Sequence, residues 1–212
     1  MRGFSNDLSN KLLVLIDGRS VYSPLFAGVF WDAQDLLLQD VDRIEVIGGP
    51  GGTVWGANAV NGVINIITRP AWDTMGGLVE AGIGDETEFN GALRYGGRLG
   101  ERGAGRAYFK RRDYDASKSA LSGRDAYDEW HMEQAGFRTD WAAGDRDSFT
   151  LQGDVYHGNQ QALVRSEFTL GTLPVENVRD EISISGYNVL ANWQRPLENG
   201  SDLRLQLYWD HT

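Results

Sequence analysis

The chain has 212 residues, with 30 acidic and 20 basic side chains and a formal net charge of −10. That balance argues against nucleic acid as a partner, because phosphate binding needs a basic face. The absence of cysteine excludes disulfides and thiolate metal sites, and it fits an oxidising compartment.

Glycine is abundant (27 residues) and so are aromatics (7 Trp, 8 Tyr, 8 Phe), against five prolines. Many turns and few breaks in pairing suit an all-β reading of much of the chain. No apolar run approaches the ~18 residues of a membrane helix, but barrel strands cross with alternation alone. Met1 is followed at once by Arg2-Gly3-Phe4, without the pattern of a signal peptide. Either the chain is cytoplasmic or its beginning is missing.

Residues 1–70 read as a compact mixed α/β unit. Leu12–Ile16 is an apolar run, hence a buried strand, closed by the turn pair Asp17-Gly18. Asp35–Leu38 suits a short helix. Arg43–Ile47 alternates charged and apolar residues and stops at Gly48-Gly49-Pro50-Gly51-Gly52. Val63–Thr68 is a third strand, ended by Arg69-Pro70.

From residue 77 the period becomes two. In Phe89–Leu99 one face is Phe89, Gly91, Leu93, Tyr95, Gly97 and Leu99; the other is Asn90, Ala92, Arg94, Gly96 and Arg98. Phe149–Tyr156 and Leu203–Asp210 divide in the same way. Similar segments lie at 77–84, 104–113, 132–142 and 185–195, making seven expected strands. Short links (100–105, 142–147, 196–202) alternate with long ones (113–131, 157–181), the rhythm of tight turns on one side of a membrane barrel and extended loops on the other. The link 84–88 only weakly breaks it. One face, rich in Phe, Leu, Val and Trp, suits lipid; the other, rich in Arg, Gln, Asn and Asp, suits a wet or plugged lumen. A half-buried sheet of a soluble protein alternates in the same way. Seven strands cannot close a large barrel, so the strand count also points to an incomplete chain.

The first seventy residues resemble the plug domain of TonB-dependent outer-membrane receptors. The resemblance rests on Arg2-Gly3-Phe4, Val14–Arg19, Val41–Ile47 running into Gly49-Pro50-Gly51, Trp55–Val63 and Ile64–Thr68, in the family's order and spacing. Gly48 stands where the family usually has Arg, and Trp55 where it often has Tyr. The signal peptide, the TonB-contacting segment, the first part of the plug and most barrel strands are not in the chain. The implied fold is a mixed α/β plug (1–72) followed by antiparallel transmembrane β-barrel strands, a partial barrel of about seven (73–212). The implied function is ligand-gated, energy-coupled import of a scarce nutrient, such as an iron chelate (siderophore) or cobalamin, across the bacterial outer membrane. The implied partners are the TonB energy-transducing complex, the small-molecule ligand and outer-membrane lipid.

By the same resemblance, the apical plug loops Arg2–Asn6 and Tyr22–Trp31 touch the ligand, through Arg2, Phe4, Ser5, Asn6, Tyr22, Ser23, Phe26 and Trp31. Aromatics with little charge suit stacking on a bulky ligand. Phe30 is instead expected in the plug core. Arg43 and Glu45, on one strand face, are expected to lock the plug to the inner wall by charge pairs; the alternative is a solvated strand face. Gly49, Pro50, Gly51 and Gly56 read as a structural turn, since no Gly-Lys-Ser or Gly-Lys-Thr follows to make a phosphate loop.

The long link 113–131 holds five acids and two bases, so it points to no particular siderophore. His131 and His157 lie at strand–loop borders without acids at ligand spacing, and read as interfacial residues rather than metal ligands. No catalytic motif, cofactor site or metal site is evident. The competing readings are a passive outer-membrane pore, which would lack the plug, and a soluble β-rich binding module.

Overall fold

The computed structural model describes residues 11–23, 28–85, 87–118, 123–165 and 177–212. Its first sheet has the order β2-β1-β6-β5, built from β1 (Leu12–Ile16), β2 (Arg19–Ser20), β5 (Val41–Gly48) and β6 (Gly62–Thr68). β1 runs parallel to β6, and β6 is antiparallel to β5. A small hairpin, β3 (Tyr22–Ser23) with β4 (Gly28–Val29), lies beside it.

β1 shows why Leu12–Ile16 has no alternation: both of its faces are covered. Leu12, Val14 and Ile16 pack with Val21 and Val29, while Leu13 packs with Ala59 and Val63, and Trp55 closes over the second cluster. Asp17-Gly18 turns the chain into β2 with φ of 50° and 82°. Two positive φ values in a two-residue hairpin suit this pair, since Gly carries no Cβ and Asp tolerates the left-handed region.

The expected helix at 35–38 is absent. Residues 34–37 are irregular between 3-10 turns at Trp31–Ala33 and Leu38–Asp40. The physical reason lies across the interface. The Asp35 and Leu36 carbonyls accept from the Lys110 ammonium at 3.4 and 3.1 Å, a competitor for helical hydrogen bonding.

The second sheet is a meander of seven antiparallel strands in chain order: β7 (Gly76–Gly82), β8 (Phe89–Arg98), β9 (Gly103–Tyr114), β10 (Trp130–Ala143), β11 (Asp147–Arg165), β12 (Asn177–Pro196) and β13 (Asp202–His211). All seven expected strands are present. β11 and β12 are longer than expected, at 19 and 20 residues, because their ladder continues to Arg165 opposite Asn177. Period-two hydrophobicity marks only the part of a strand with an apolar face; beyond it, polar residues such as Asn159, Gln160 and Gln161 pair without leaving that signal.

Register assigns the faces. Leu93, Phe109, Ala135, Val155 and Tyr187 are opposite one another along one row of the outer face, and Tyr95, Ala107, Phe137, Gly153, Val189 and Trp209 along the next. These large side chains are exposed, Tyr95 at 72% and Trp209 at 67%. Charge returns at both borders. Arg111, Glu133 and His157 share the row on the long-loop side. At the short-turn side Asp147 accepts from the Trp193 indole at 2.8 Å and from Arg195 at 2.6 Å. Along β11, about ten residue steps of ~3.3 Å separate Asp147 from His157, and a tilt of ~40° makes that about 25 Å, the height of a barrel's apolar band. An exposed apolar face bounded in this way is the lipid side of an open, partial membrane barrel. Phe149 stacked on Trp193 at 6.4 Å belongs to its lower aromatic border.

Candidate functional site at the plug–wall seam

The first sheet sits against the inner face of the second, and the contact is ionic. The segment Gln34–Asp40 brings two carboxylates to β8 and β9. Asp35 pairs with Lys110 at 2.7 Å and with Arg112 at 3.0 Å. Asp40 pairs with Arg106 at 2.9 Å and with Arg94. The Asp40 and Lys110 side chains are almost wholly buried. Ala33, just before the segment, and Leu37, within it, are both buried.

A second tie comes from the β1–β2 turn. The Asp17 carboxylate accepts from the Thr68 amide at 2.8 Å and the Thr68 hydroxyl at 2.7 Å within the plug. It also accepts from Gln152 on β11 at 2.7 Å, with Arg138 on β10 at 3.7 Å. A third tie is Arg19 on β2 with Asp210 on β13. A fourth is the Ala71 amide, which donates to Asp140 at 2.7 Å. In low local dielectric such pairs are costly to half-break, because each leaves a buried charge alone.

Of the residues expected to form the lock, Arg43 donates to Glu45 and Asp42, both at 2.8 Å, and Asn65 donates to Glu45 at 2.9 Å. These bonds stay within the plug sheet. The Arg43 bond holds the Glu45 carboxyl below the usual glutamate range. Arg43 also lines a cleft of about 450 Å³ whose wall side carries Arg138, Thr150, Gln152 and Arg204. The ties that cross the seam were not singled out in the sequence. A turn aspartate, two acids in an irregular segment and lumen-facing cations are each unremarkable locally; only residues 54 to 191 positions away make them a set.

Of the expected ligand contacts, Arg2, Phe4, Ser5, Asn6 and Phe26 lie outside the described residues. Tyr22 and Ser23 line a cavity of about 300 Å³ with Phe30, Ala33 and Gln34. Ser23 is buried, and its hydroxyl has no hydrogen-bond partner among the described residues. Trp31 is 40% exposed. Phe30 packs with Ala33 against Met132 and Tyr156 of the wall, so it joins plug to wall rather than filling the plug interior.

At the glycine-rich stretch expected to form a structural turn, the conformational constraints are distributed unevenly. Gly49 has φ 107° and donates to the Asn61 carbonyl at 3.1 Å. Pro50 follows it, exposed. Gly51 has an ordinary φ of −119° but is tightly packed: a Cβ there would lie 3.2 Å from Trp55. Gly56, ending the helical turn α1 (Gly52–Trp55), has φ 85° and ψ −156°. That conformation is essentially confined to glycine. His131 and His157 fall on the outer face at the upper border of the apolar band, and no cluster able to hold a metal occurs among the described residues.

A sheet ion-paired to the lumen side of an antiparallel membrane wall defines a plugged β-barrel. Residues 1–63 match the family model described as TonB-dependent Receptor Plug Domain. The chain is 35% identical over 88 residues to the vitamin B12 transporter BtuB of Vibrio vulnificus, covering 42% of this chain and 14% of that protein. It is 26% identical over 238 residues to BtuB of Photobacterium profundum, covering 95% of this chain and 39% of that protein. In fold it is similar to the ferripyoverdine receptor of the outer membrane of Pseudomonas aeruginosa, with TM-score 0.66 and 18% identity over 93% of this chain and 27% of that one. Residues 1–63 are thus similar to the plug domain of TonB-dependent receptors, the chain as a whole is similar in fold to an outer-membrane receptor, and it spans well under half the length of these relatives.

Proposed function

We propose that the chain forms part of a ligand-gated importer of the bacterial outer membrane, with residues 1–72 as plug and 73–212 as the first stretch of wall. It would take up a scarce nutrient such as a ferric siderophore or cobalamin. The observation that carries this reading is the seam itself, a plug sheet held to the lumen wall through Asp17, Asp35 and Asp40. A seam of discrete ion pairs gives the plug a docked state that pulling from the periplasm by the TonB complex could disrupt. The ligand would meet Tyr22, Ser23 and Trp31; the other expected contacts, in residues 2–6 and at Phe26, lie outside the described residues. A passive pore has no use for a lumen-filling sheet, and a soluble module has none for an exposed apolar band.

The test is uptake by cells lacking the gene and complemented with the complete receptor, using ferric siderophores and cobalamin in parallel. Energy-dependent uptake of one class supports the reading. Uptake that persists after the proton gradient is collapsed would replace it with a pore. Tyr22→Ala is expected to weaken ligand binding without lowering the receptor's level in the outer membrane; unchanged affinity would move the ligand site elsewhere.

A further inference from the structure

The inner faces of β8 and β9 carry an unusual charge pattern for a chain of net charge −10. Facing the plug, β8 presents Asn90, Ala92, Arg94, Gly96 and Arg98, and β9 presents Ala104, Arg106, Tyr108, Lys110 and Arg112, with no acid among them. Register places Arg94 opposite Tyr108, beside Arg106, so the cations form one continuous strip. Arg106, Lys110 and Arg112 rise along β9 at steps of four and two residues, about 13 and 7 Å at the strand rise. Among the described residues, four of these cations share two plug carboxylates: Asp40 serves Arg94 and Arg106, and Asp35 serves Lys110 and Arg112.

The neighbouring wall acids offset the surplus only in part: Glu80 acts on Lys110, and Asp154 lines a small cavity with Arg106 and Tyr108, two acids against four cations. Glu80 accepts from Gln39 and from Asn90, and Asp140 is occupied by Arg138, Thr150 and the Ala71 amide. Both plug acids lie in the one segment 34–40, Asp35 in its irregular part and Asp40 in the 3-10 turn that ends it, and leave together if it is displaced. What remains is a strip of four cations, only partly offset by Glu80 and Asp154, reaching from the long-loop side toward mid-wall, with Arg98 exposed beyond it toward the short turns. Arg guanidinium groups in such a strip bind carboxylate or phosphate oxygens in paired hydrogen bonds.

We propose that this strip is an anion lane, capped at rest by Asp35 and Asp40 and uncovered when the plug moves, and that the imported solute is anionic. The proposal rests on the import function above and narrows it toward an anionic chelate, away from an uncharged corrinoid. The plug acids act as stand-ins for the solute, holding the cations neutralised until it arrives.

The test uses the complete receptor in a planar lipid bilayer under a potassium chloride gradient, with urea added until the plug loosens and a channel opens. The reversal potential reads chloride against potassium preference. The triple variant Arg106→Gln, Lys110→Gln, Arg112→Gln is expected to shift it toward the potassium value. The double variant Asp35→Asn, Asp40→Asn also removes the ion pairs but keeps the cations. It is expected to open at lower urea with its chloride preference intact. If the triple variant does not insert, Lys110→Gln alone is expected to shift the potential in the same direction by less. A reversal potential unmoved by removing the cations overturns the lane and leaves the importer standing. Failure of every protein to open a channel overturns both.

Discussion

Two adjacent stretches of the plug carry the same kinds of charge and treat them in opposite ways. In residues 35–40, Asp35 and Asp40 are turned into the seam and paired with cations of another sheet, with side chains 14% and 6% exposed. In residues 42–45, Asp42, Arg43 and Glu45 pair with one another on the edge strand of the plug sheet, with side chains 46%, 56% and 39% exposed. Ile44 and Val46 beside them are exposed as well. The difference shows that burial against a partner, rather than the presence of an ion pair, decides what a charge contributes. Screened by water, a surface pair contributes little; enclosed, a pair cannot lose one member cheaply.

The largest expected effect follows directly. Asp40→Ala leaves Arg94 and Arg106 buried without their carboxylate and is expected to cost the docked plug about 3–5 kcal/mol. The measurement is the urea midpoint for plug unfolding in the complete receptor, followed by tryptophan fluorescence. A loss below ~1 kcal/mol, the scale of an exposed pair, would erase the contrast between the two stretches.

A smaller effect tests the support beneath β5. Gly56→Val forces a branched side chain into φ 85° and ψ −156°, and strain of about 1–3 kcal/mol is expected from such a conformation. Gly51→Ala has no such strain, since its backbone is ordinary, and only the Trp55 contact must give. Equal midpoints for the two variants would mean that backbone conformation at Gly56 does not limit the turn.

These contrasts separate what was legible in the sequence from what was not. The wall strands were legible because a face in lipid and a face in the lumen impose period two, visible from Phe89 to Trp209. The buried strand Leu12–Ile16 and the Asp17-Gly18 turn were equally local signals. The ends of β11 and β12 were not, since a ladder of polar residues leaves no apolar alternation. Nor was the irregular stretch 34–37, where the Lys110 ammonium takes carbonyls that a helix would have used. The seam was least legible. Asp17 shows itself as a turn residue, and only the fold brings Gln152, 135 positions away, onto its carboxylate. Arg43 and Glu45 drew attention by sharing a strand face, a pattern that fits a pair closed on itself as well as one reaching outward.

The smallest effect is expected where that pattern was read. Glu45→Gln should leave the urea midpoint of the plug at its wild-type value near neutral pH, because both members of the Arg43–Glu45 pair are solvated. The direction of any residual effect is set by the lowered pKa of Glu45, whose first cause is the hydrogen bond from Arg43. A carboxyl whose folded value lies below its unfolded one stabilises the fold above the unfolded value, and that contribution is lost as pH falls through the folded value. The wild type and Glu45→Gln should therefore converge in acid and differ, if at all, only above the ordinary glutamate range. A marked loss in Glu45→Gln near neutral pH, vanishing in acid, would mean that Glu45 meets a buried cation in the complete receptor, and β5 would then belong to the lock alongside Asp35 and Asp40.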